Sequence, residues 1–256
     1  MKSKFFLKSI LATGIVGATT LVPVSALLAA SVEIGFLIDG SGSVSPSDFA
    51  LQKDAYVNLF SNNFATNFLS GDVDTLYASF WQFSSNVVEE VGFTTIDSDA
   101  TALAFANLIN ANTTQLSGGT DTAEGINTVA NALLTNGITA DRQVIDLSSD
   151  GIPNSQSDAL TAATNALANG IKTNTLFVGT DPTGQANLAD IAAAGGGTAF
   201  IANNFIQYEN TLKVKLESDI GPRPTTPEPA SILGLLTVSV LGLGVKGAKK
   251  AKNLVK

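Results

Sequence analysis

The fold is decided by the stretch Val32-Glu33-Ile34-Gly35-Phe36-Leu37-Ile38-Asp39-Gly40-Ser41-Gly42-Ser43. Its first seven residues are mostly apolar, and a run of this length is typical of a strand that is buried on both faces. The run ends at Asp39 in a glycine-rich turn, and Ser45-Pro46-Ser47-Asp48 then has the composition of a helix start. A buried strand, a polar turn and a helix in this order predict the first unit of an α/β sheet.

The turn itself carries a pattern of oxygen ligands. Asp39, Ser41 and Ser43 alternate with glycines, which allow the backbone to fold tightly around a bound group. One carboxylate and two hydroxyls, without nitrogen or sulfur, suit a hard cation such as Mg²⁺, Ca²⁺ or Mn²⁺. A serine- and glycine-rich turn after a strand is often only a turn, so the metal interpretation depends on ligands from elsewhere in the chain.

Composition removes several classes of function. The chain has no cysteine and no histidine, which excludes thiolate chemistry and hydrolysis by a Ser-His-Asp or Cys-His system. The net charge is −8, and eight of the 14 basic residues lie at the two ends; the remaining six face 22 acidic residues, a balance of −16. Such an acidic middle argues against nucleic acid as a partner and suits an exported protein in a medium rich in divalent cations.

Residues 1–30 have the features of a secretory signal peptide. Three lysines precede an apolar stretch at 9–22, and small residues follow around Ala26 and Ala30. This order predicts export and cleavage after Ala26 or Ala30. An uncleaved N-terminal membrane anchor is the alternative.

The C-terminal end resembles a second address. A proline-rich linker at 221–229 ends in Pro227-Glu228-Pro229, and an apolar run at 231–245 and a lysine cluster complete the segment 230–256. This order resembles the PEP-CTERM sorting signal of bacteria with an outer envelope. The resemblance implies processing by an exosortase-type enzyme, membrane insertion of 230–256 before processing, and a final location at the cell envelope, at the surface or outside the cell. A plain transmembrane anchor is the alternative.

Residues 31–220 alternate short apolar runs with helical patterns. Six strands are predicted at 32–38, 75–83, 87–91, 143–147, 173–178 and 198–201, and six helices at about 47–60, 99–110, 122–134, 157–168, 185–194 and 206–216. The second and third strands are close enough to form a hairpin, which makes one edge strand antiparallel. The predicted fold class is α/β: a doubly wound, mostly parallel six-stranded sheet of Rossmann-like type with helices on both faces.

Ligands bind to such sheets outside the carboxyl ends of the strands. Asp39 and Asp150 both follow predicted strands and therefore lie at that edge. The polar linker at 112–119 ends in two glycines and brings Thr120 to the start of a helix. Asp39, Ser41, Ser43, Thr120 and Asp150 are therefore the candidate metal ligands.

Three motifs together resemble the von Willebrand factor type A (vWA) domain and its metal-ion-dependent adhesion site (MIDAS). They are Asp39-x-Ser41-x-Ser43, Gly118-Gly119-Thr120-Asp121-Thr122 and Ser149-Asp150-Gly151, in the family's order and at plausible distances. The resemblance spans essentially the whole of residues 31–220. It implies that the hydroxyls of Ser41, Ser43 and Thr120 bind Mg²⁺, or Ca²⁺ or Mn²⁺, and that Asp39 and Asp150 act directly or through water.

The same resemblance implies a function in adhesion. Two carboxylates and three hydroxyls would leave a dication with an exchangeable water position, and a carboxylate of an acidic protein or matrix ligand would complete the coordination sphere. We therefore expect an interaction protein and no enzyme. The run at 142–151 resembles a bacterial subgroup of the family with a poorly defined role, so the partners of animal members do not transfer.

Two other functions remain open at this point. An aspartate-based, metal-dependent phosphohydrolase also places an aspartate after its first strand, but it usually has a second one where this chain has Ser41. It also needs a positioned lysine late in the chain, for which Lys172 is the candidate, although Lys172 begins a strand. The other possibility is a structural envelope or matrix component that uses the metal only for stability.

Three further features have expected roles. Asp146 interrupts an apolar strand, so we expect it to form hydrogen bonds near the site or to face a polar gap, unless it is partly exposed. The run 195–197 of three glycines indicates a helix-to-strand connection more than an anion cradle. Trp81, with Phe80 and Phe83, is expected in the core or on an edge strand, and an exposed aromatic ligand patch is the alternative.

Overall fold

The computed structural model describes residues 30–69 and 73–221, which cover most of the predicted middle domain. The strands are β1 Ala30–Asp39, β2 Val73–Phe83, β3 Val87–Ile96, β4 Arg142–Ser149, β5 Ile171–Val178 and β6 Gly196–Ala202. The helices are α1 Pro46–Ser61, α2 Phe64–Phe68, α3 Asp99–Asn112, α4 Thr122–Thr135, α5 Gln156–Ala168, α6 Pro182–Ala194 and α7 Phe205–Ile220.

The six strands form one sheet in the order β3-β2-β1-β4-β5-β6. All neighbouring pairs are parallel except β2 and β3, which are antiparallel. The strand β1 lies in the centre, where Ile38 pairs with Gln82 of β2 and with Ser148 of β4. The predicted fold class, including the antiparallel edge strand, is confirmed. The turns after β1 and β4 consequently lie side by side at the carboxyl edge of the sheet.

The helices cover both faces of the sheet. One core lies between the sheet and the helices α1, α2, α3 and α7, and it contains the ring pairs Phe36–Tyr56 and Phe60–Phe105. The other core lies under α4, α5 and α6 and is built largely from alanine, leucine and isoleucine. Alternate residues of β1 point to the two cores, so that Phe36 enters the first and Leu37 the second. This double burial explains why β1 is apolar without alternation.

Side-chain caps explain where most helices begin. Ser45, Ser98, Asp121, Ser155 and Asp181 each accept a hydrogen bond from a backbone amide in the first turn of the helix that follows. Such caps satisfy amides that have no partner inside the helix. Three of these helices, α1, α4 and α5, follow segments that carry proposed ligands, so their caps fix the ends of the site loops.

Several boundaries differ from the prediction. The strand β3 continues to Ile96 instead of ending at 91, because it keeps pairing with β2 up to Leu76. The five-residue helix α2 was not predicted; it places Phe64 over Phe60 at 4.3 Å between ring centroids. The helix α7 extends one turn beyond 216, which adds the buried Asp219. The described part of the chain therefore has seven helices instead of about six.

Asp146 meets one expectation, since it faces buried polar side chains, and contradicts two others. It is fully buried on the face that packs against α1 and α7, and its partners are the Lys215 ammonium at 2.5 Å and the Tyr56 hydroxyl at 3.2 Å. It therefore contacts none of the proposed metal ligands and is not partly exposed. Trp81 is buried, as predicted, and donates to the Ser79 hydroxyl at 2.8 Å.

Some predictions concern residues outside the described ranges. They are the leader before Ala30 and the segment 222–256 with the linker, the PEP-CTERM-like motif and the apolar run. Within 30–69 and 73–221, no helix combines the length and apolar character that a membrane span requires.

Candidate metal site

Asp39 is the last residue of β1 and is completely buried. Its Oδ1 accepts the Ser41 amide at 2.8 Å, and its Oδ2 accepts the Ser149 hydroxyl. Its backbone carbonyl accepts the Gln52 side-chain amide at 2.9 Å. No basic side chain contacts this carboxyl group in the described part of the chain. Asp39 is therefore a rigidly held buried carboxyl group without a countercharge.

The other four proposed ligands form a continuous chain of hydrogen bonds. The Thr120 hydroxyl lies 3.3 Å from the Ser41 hydroxyl, which lies 3.0 Å from the Ser43 hydroxyl. Ser43 in turn donates to Oδ1 of Asp150 at 2.8 Å. Three loops that are far apart in sequence therefore bring five oxygen-bearing side chains to one place.

Backbone contacts join the loops on which these side chains lie. The Gly42 amide donates to the Gly118 carbonyl at 3.0 Å, and the Gly119 amide donates to the Ser85 hydroxyl at 2.7 Å. Asn154 pairs with Thr120 twice, because its side-chain oxygen accepts the Thr120 amide and its own amide donates to the Thr120 carbonyl. The position of Thr120 is thus fixed by hydrogen bonds to both its amide and its carbonyl group.

Gln82 of β2 holds the segment that leads to Thr120. Its side-chain oxygen accepts the Leu116 amide at 2.6 Å, and its side-chain nitrogen donates to the Thr114 carbonyl at 3.0 Å. A Cβ atom on Gly40 would lie 1.9 Å from that side-chain oxygen, so only glycine fits at this position. No sequence pattern indicated Gln82, Gln52 or Asn154 as supporting residues. Ser149 stands directly before Asp150 in the motif Ser149-Asp150-Gly151, which is the one signal that could have found it.

Burial governs the electrostatics of the two carboxyl groups. It raises the pKa of Asp39 to about 6, against the opposing effect of the hydrogen bonds from Ser149 and Ser41. Burial also raises the pKa of Asp150, while the hydrogen bond from Ser43 lowers it. A nearby dication would favour the charged form of both groups. A cation would therefore stabilise the charged forms of Asp39 and Asp150, and the described residues supply no positive charge at this site.

The donor set tests which cation fits. It consists of two carboxylates and three hydroxyls, all oxygen atoms, which Mg²⁺, Mn²⁺ and Ca²⁺ prefer. A Cβ atom on Gly151 would lie 3.4 Å from the hydroxyls of both Ser43 and Thr120, so these two face the same small space. No group of three or more acidic, histidine or cysteine side chains that could hold a metal occurs among the described residues. The residues present therefore fit a hard dication held largely by hydroxyls.

A cleft of about 370 Å³ adjoins the site on the side of β5 and β6. Asp150 belongs to its wall together with the carboxyl groups of Asp48 and Asp181 and the rings of Phe177 and Phe205. None of its lining residues is basic. The site thus opens into a space that is acidic and partly aromatic.

Other expected residues are placed elsewhere. Lys172 is exposed near the start of β5, at the edge of the sheet opposite the site. The glycines at 195–197 connect α6 to β6, and Gly196 has the positive φ of 64° that such a sharp turn requires. The prediction of a helix-to-strand connection agrees with this geometry.

Solved structures with the same fold include a matrix protein and proteins of bacterial pili. Proximal thread matrix protein 1 from the mussel byssus is 18% identical with a TM-score of 0.57 over 75% of this chain, which spans about half, 47%, of the mussel chain. That protein has also been solved with a zinc-occupied MIDAS motif. The vWF domain of the type V pili tip protein Mfa5 from Porphyromonas gingivalis is 12% identical, with a TM-score of 0.59 over 78% of this chain and 99% of that one.

A third similar structure is the pilus adhesin SpaC from Lactobacillus rhamnosus GG, 15% identical with a TM-score of 0.57 over 75% of this chain and 31% of the adhesin. No curated protein sequence matches the chain significantly. Residues 29–224 match a family that is described as "Protein of unknown function (DUF1194)". The chain therefore belongs to the DUF1194 family, and its domain has the fold of a von Willebrand factor type A domain.

Proposed function

We propose that this protein binds a divalent cation through Asp39, Ser41, Ser43, Thr120 and Asp150 and uses it to hold a carboxylate of a partner. The observation that carries the proposal is the buried Asp39 carboxyl group, which has no countercharge in the part of the chain that the structure describes and lies among hydroxyls from three loops. A buried carboxylate without a countercharge is costly even when it accepts hydrogen bonds, and a dication at the adjacent hydroxyls would offset that cost. Mg²⁺ is the first candidate, with Ca²⁺ and Mn²⁺ as alternatives.

The ligands are arranged from buried to exposed. Asp39 and Ser41 are fully buried, Asp150 is half-buried and Ser43 is exposed. A cation held here therefore keeps one side open to solvent, where water or an incoming oxygen ligand completes the coordination. An acidic side chain of a protein or matrix partner is the ligand that such an open position favours.

The adjoining cleft limits which groups of the partner can lie next to its metal-bound carboxylate. Asp48, Asp150 and Asp181 make its wall acidic, and Phe205 offers a half-buried ring. Like charges across an interface are unfavourable, so a uniformly acidic partner would be repelled next to the metal. We infer that the partner presents one carboxylate beside neutral or basic groups, and that nucleic acid does not bind here.

Binding without catalysis is part of the proposal. The chain has no histidine or cysteine, and Ser41 stands where a phosphohydrolase would place its second aspartate. The lysine considered for such an enzyme, Lys172, is the second residue of β5 and lies at the opposite edge of the sheet. The site therefore lacks the second aspartate and the nearby lysine of such an enzyme, which supports a role in holding a ligand.

We also propose that the protein acts outside the cytoplasm, at the cell envelope or surface. The signal-peptide features at 1–30 and the sorting features at 221–256 support this proposal. Processing of the sorting segment by an exosortase-type enzyme is part of it. The similar structures include a byssus matrix protein and a pilus adhesin. A surface location would give the metal site access to extracellular divalent cations.

Calorimetric titration of the full chain in detergent with MgCl₂ or MnCl₂ tests the metal proposal. We expect binding by the wild type and no measurable binding by the double variant Asp39→Asn/Asp150→Asn. The matched control is Asp190→Asn, which removes an exposed carboxylate from α6 and should leave the affinity unchanged. No binding by the wild type, or equal binding by the double variant, would refute the proposal.

The partner proposal needs a separate measurement. Short peptides that carry one aspartate beside a lysine would be tested against the same peptides with asparagine. Binding that requires Mg²⁺ and the aspartate supports the proposal. Metal binding that raises only the melting temperature, with no chelator-sensitive attachment of peptides or cells, would instead indicate a purely structural metal.

A further inference from the structure

A group of charged side chains lies buried away from the metal site, between the sheet and α7. Asp146 of β4 and Lys215 of α7 are both completely buried, and the Lys215 Nζ lies 2.5 Å from Oδ1 of Asp146. The rings of Tyr56 and Tyr208 are also fully buried, and the Tyr208 hydroxyl donates to that of Tyr56 at 3.3 Å. An amine and a carboxyl group are thus held together in a site without solvent.

The hydrogen bonds of this pair are incomplete. Oδ1 of Asp146 accepts the Tyr56 hydroxyl, but within residues 30–69 and 73–221 its Oδ2 has no donor, and the Lys215 Nζ has no hydrogen-bond partner there apart from the ion pair. A buried ion pair offsets the loss of hydration only when further hydrogen bonds satisfy both ions. As two separate ions, Asp146 and Lys215 are therefore poorly accommodated here.

Asp219 supplies a third reactive group. It lies one helical turn after Lys215 and is 2% exposed, and its Oδ1 accepts the side-chain amide of Asn174. Burial and the nearby charge of Asp146 raise its pKa well above the usual range of an aspartate. Among the described residues, its Oδ2, like that of Asp146, has no donor. A side-chain hydrogen bond with Asp146 also raises the pKa of Asp219, so Asp219 is an acid beside the carboxyl group of Asp146.

We propose that Lys215 and Asp146 become joined by an intramolecular isopeptide bond, with Asp219 as the group that transfers the protons. The Lys215 ammonium first gives a proton to Asp146, and the free amine then attacks Cγ of the resulting carboxylic acid. Asp219 gives its proton to the departing hydroxyl and takes one from the nitrogen. One C–N bond forms, one C–O bond breaks, and one water leaves; no oxidant or reductant is needed.

The surroundings favour this condensation in two ways. The product is a neutral amide, so two buried charges are removed at once. Exclusion of water from the site also limits the reverse reaction. The Tyr56 hydroxyl, which already donates to Oδ1 of Asp146, can keep that hydrogen bond with the amide oxygen.

The bond would tie the last helix to the centre of the sheet. Asp146 lies in β4 between β1 and β5, and Lys215 lies in α7, after which the chain continues into the predicted sorting segment. A pull on that end would reach β4 through a covalent link, without unwinding α7 first. The inference does not depend on metal binding.

Peptide mapping by mass spectrometry of the full chain tests the proposal. Trypsin cannot cleave after a modified Lys215, so we expect peptide 143–172 joined to a peptide that begins at Val214, lighter than their sum by one water molecule. In Lys215→Arg, which keeps the charge, peptide 143–172 should appear alone. Free, unmodified peptide 143–172 from the wild type as the main species would overturn the proposal, and this result does not rely on any variant folding.

Asp219→Asn tests the proton-transfer role separately. This variant keeps the size of the side chain and changes neither Lys215 nor Asp146, and we expect the joined peptide to fall at least tenfold. Joined peptide at the wild-type level would overturn the role of Asp219. Circular dichroism of the same samples confirms that the compared variants are folded.

Discussion

Asp39→Asn should stabilise the protein in the absence of metal and destabilise it, relative to the wild type, in its presence. Asp39 is fully buried, and burial raises its pKa from 3.8 to about 6. That rise corresponds to roughly 3 kcal/mol of unfavourable free energy for the charged form in the folded state. Asparagine has no charge to bury, and its amide can still bond to both the Ser41 amide and the Ser149 hydroxyl.

The direction of the Asp39 pKa shift determines the pH range over which the stability changes. Because the folded pKa lies above the unfolded one, stability is highest while Asp39 is protonated, below about 3.8, and falls as the pH rises through about 6. In EDTA at pH 8 we therefore expect the variant to melt about 6–12 °C above the wild type, since 1 kcal/mol moves the melting temperature of a domain of this size by roughly 2–4 °C. The difference should shrink below pH 5.

Thermal melting followed by circular dichroism, in EDTA and in saturating MgCl₂, is the assay. Mg²⁺ should raise the melting temperature of the wild type and leave that of the variant unchanged, because binding to the folded state alone stabilises it. Asp190→Asn, with an exposed carboxylate, controls for the loss of one charge. A variant that is less stable than the wild type in EDTA, or that responds equally to Mg²⁺, would show that Asp39 is not the buried charge that the cation stabilises.

Two further predictions concern residues that support the ligands. Ser149→Ala removes the hydroxyl that holds Asp39 and should weaken Mg²⁺ binding by about 10- to 100-fold in calorimetry. Ser148→Ala, one position earlier and also buried, should change the affinity little. Equal losses in the two variants would contradict a supporting role for Ser149. Gly40→Ala places a Cβ atom 1.9 Å from the side-chain oxygen of Gln82 and should cost about 1–3 kcal/mol in urea unfolding. Gly42→Ala, whose Cβ would have only one contact at 3.4 Å, should cost less, and the opposite ranking would show that Gln82 does not fill this space.

Much of the fold could be predicted from local patterns. β1 was recognisable because both of its faces are buried, and the hairpin β2–β3 because only three residues separate the two strands. The helix α2 was not recognisable, because a five-residue helix shows no periodicity and depends on the packing of Phe64 against Phe60. The last turn of α7 was missed because Asp219 is polar in sequence although it is buried in the fold.

The proposed ligands of the site could be predicted from the sequence, but the residues that support them could not. Asp39, Ser41 and Ser43 lie close together in the sequence, and the glycine-rich motifs around Thr120 and Asp150 indicated the rest. Their supports could not be inferred in this way, because Gln82 and Asn154 act through backbone groups of loops that only the folded chain brings near.

Asp146 shows the same limit outside the site. The sequence indicated that its carboxyl group needed a partner, but the partner, Lys215, lies 69 positions later on a helix. Pairing at that distance depends on the crossover connections of the sheet, which bring α7 against β4, and no local pattern encodes it.

Crystals grown in MnCl₂ would show whether one dication sits among the hydroxyls of Ser41, Ser43 and Thr120. Anomalous diffraction should show one strong peak at roughly 2.0–2.6 Å from these oxygens, with Asp39 and Asp150 bound to the metal directly or through water. A peak at another position, or no peak at saturating Mn²⁺, would contradict the proposed metal site.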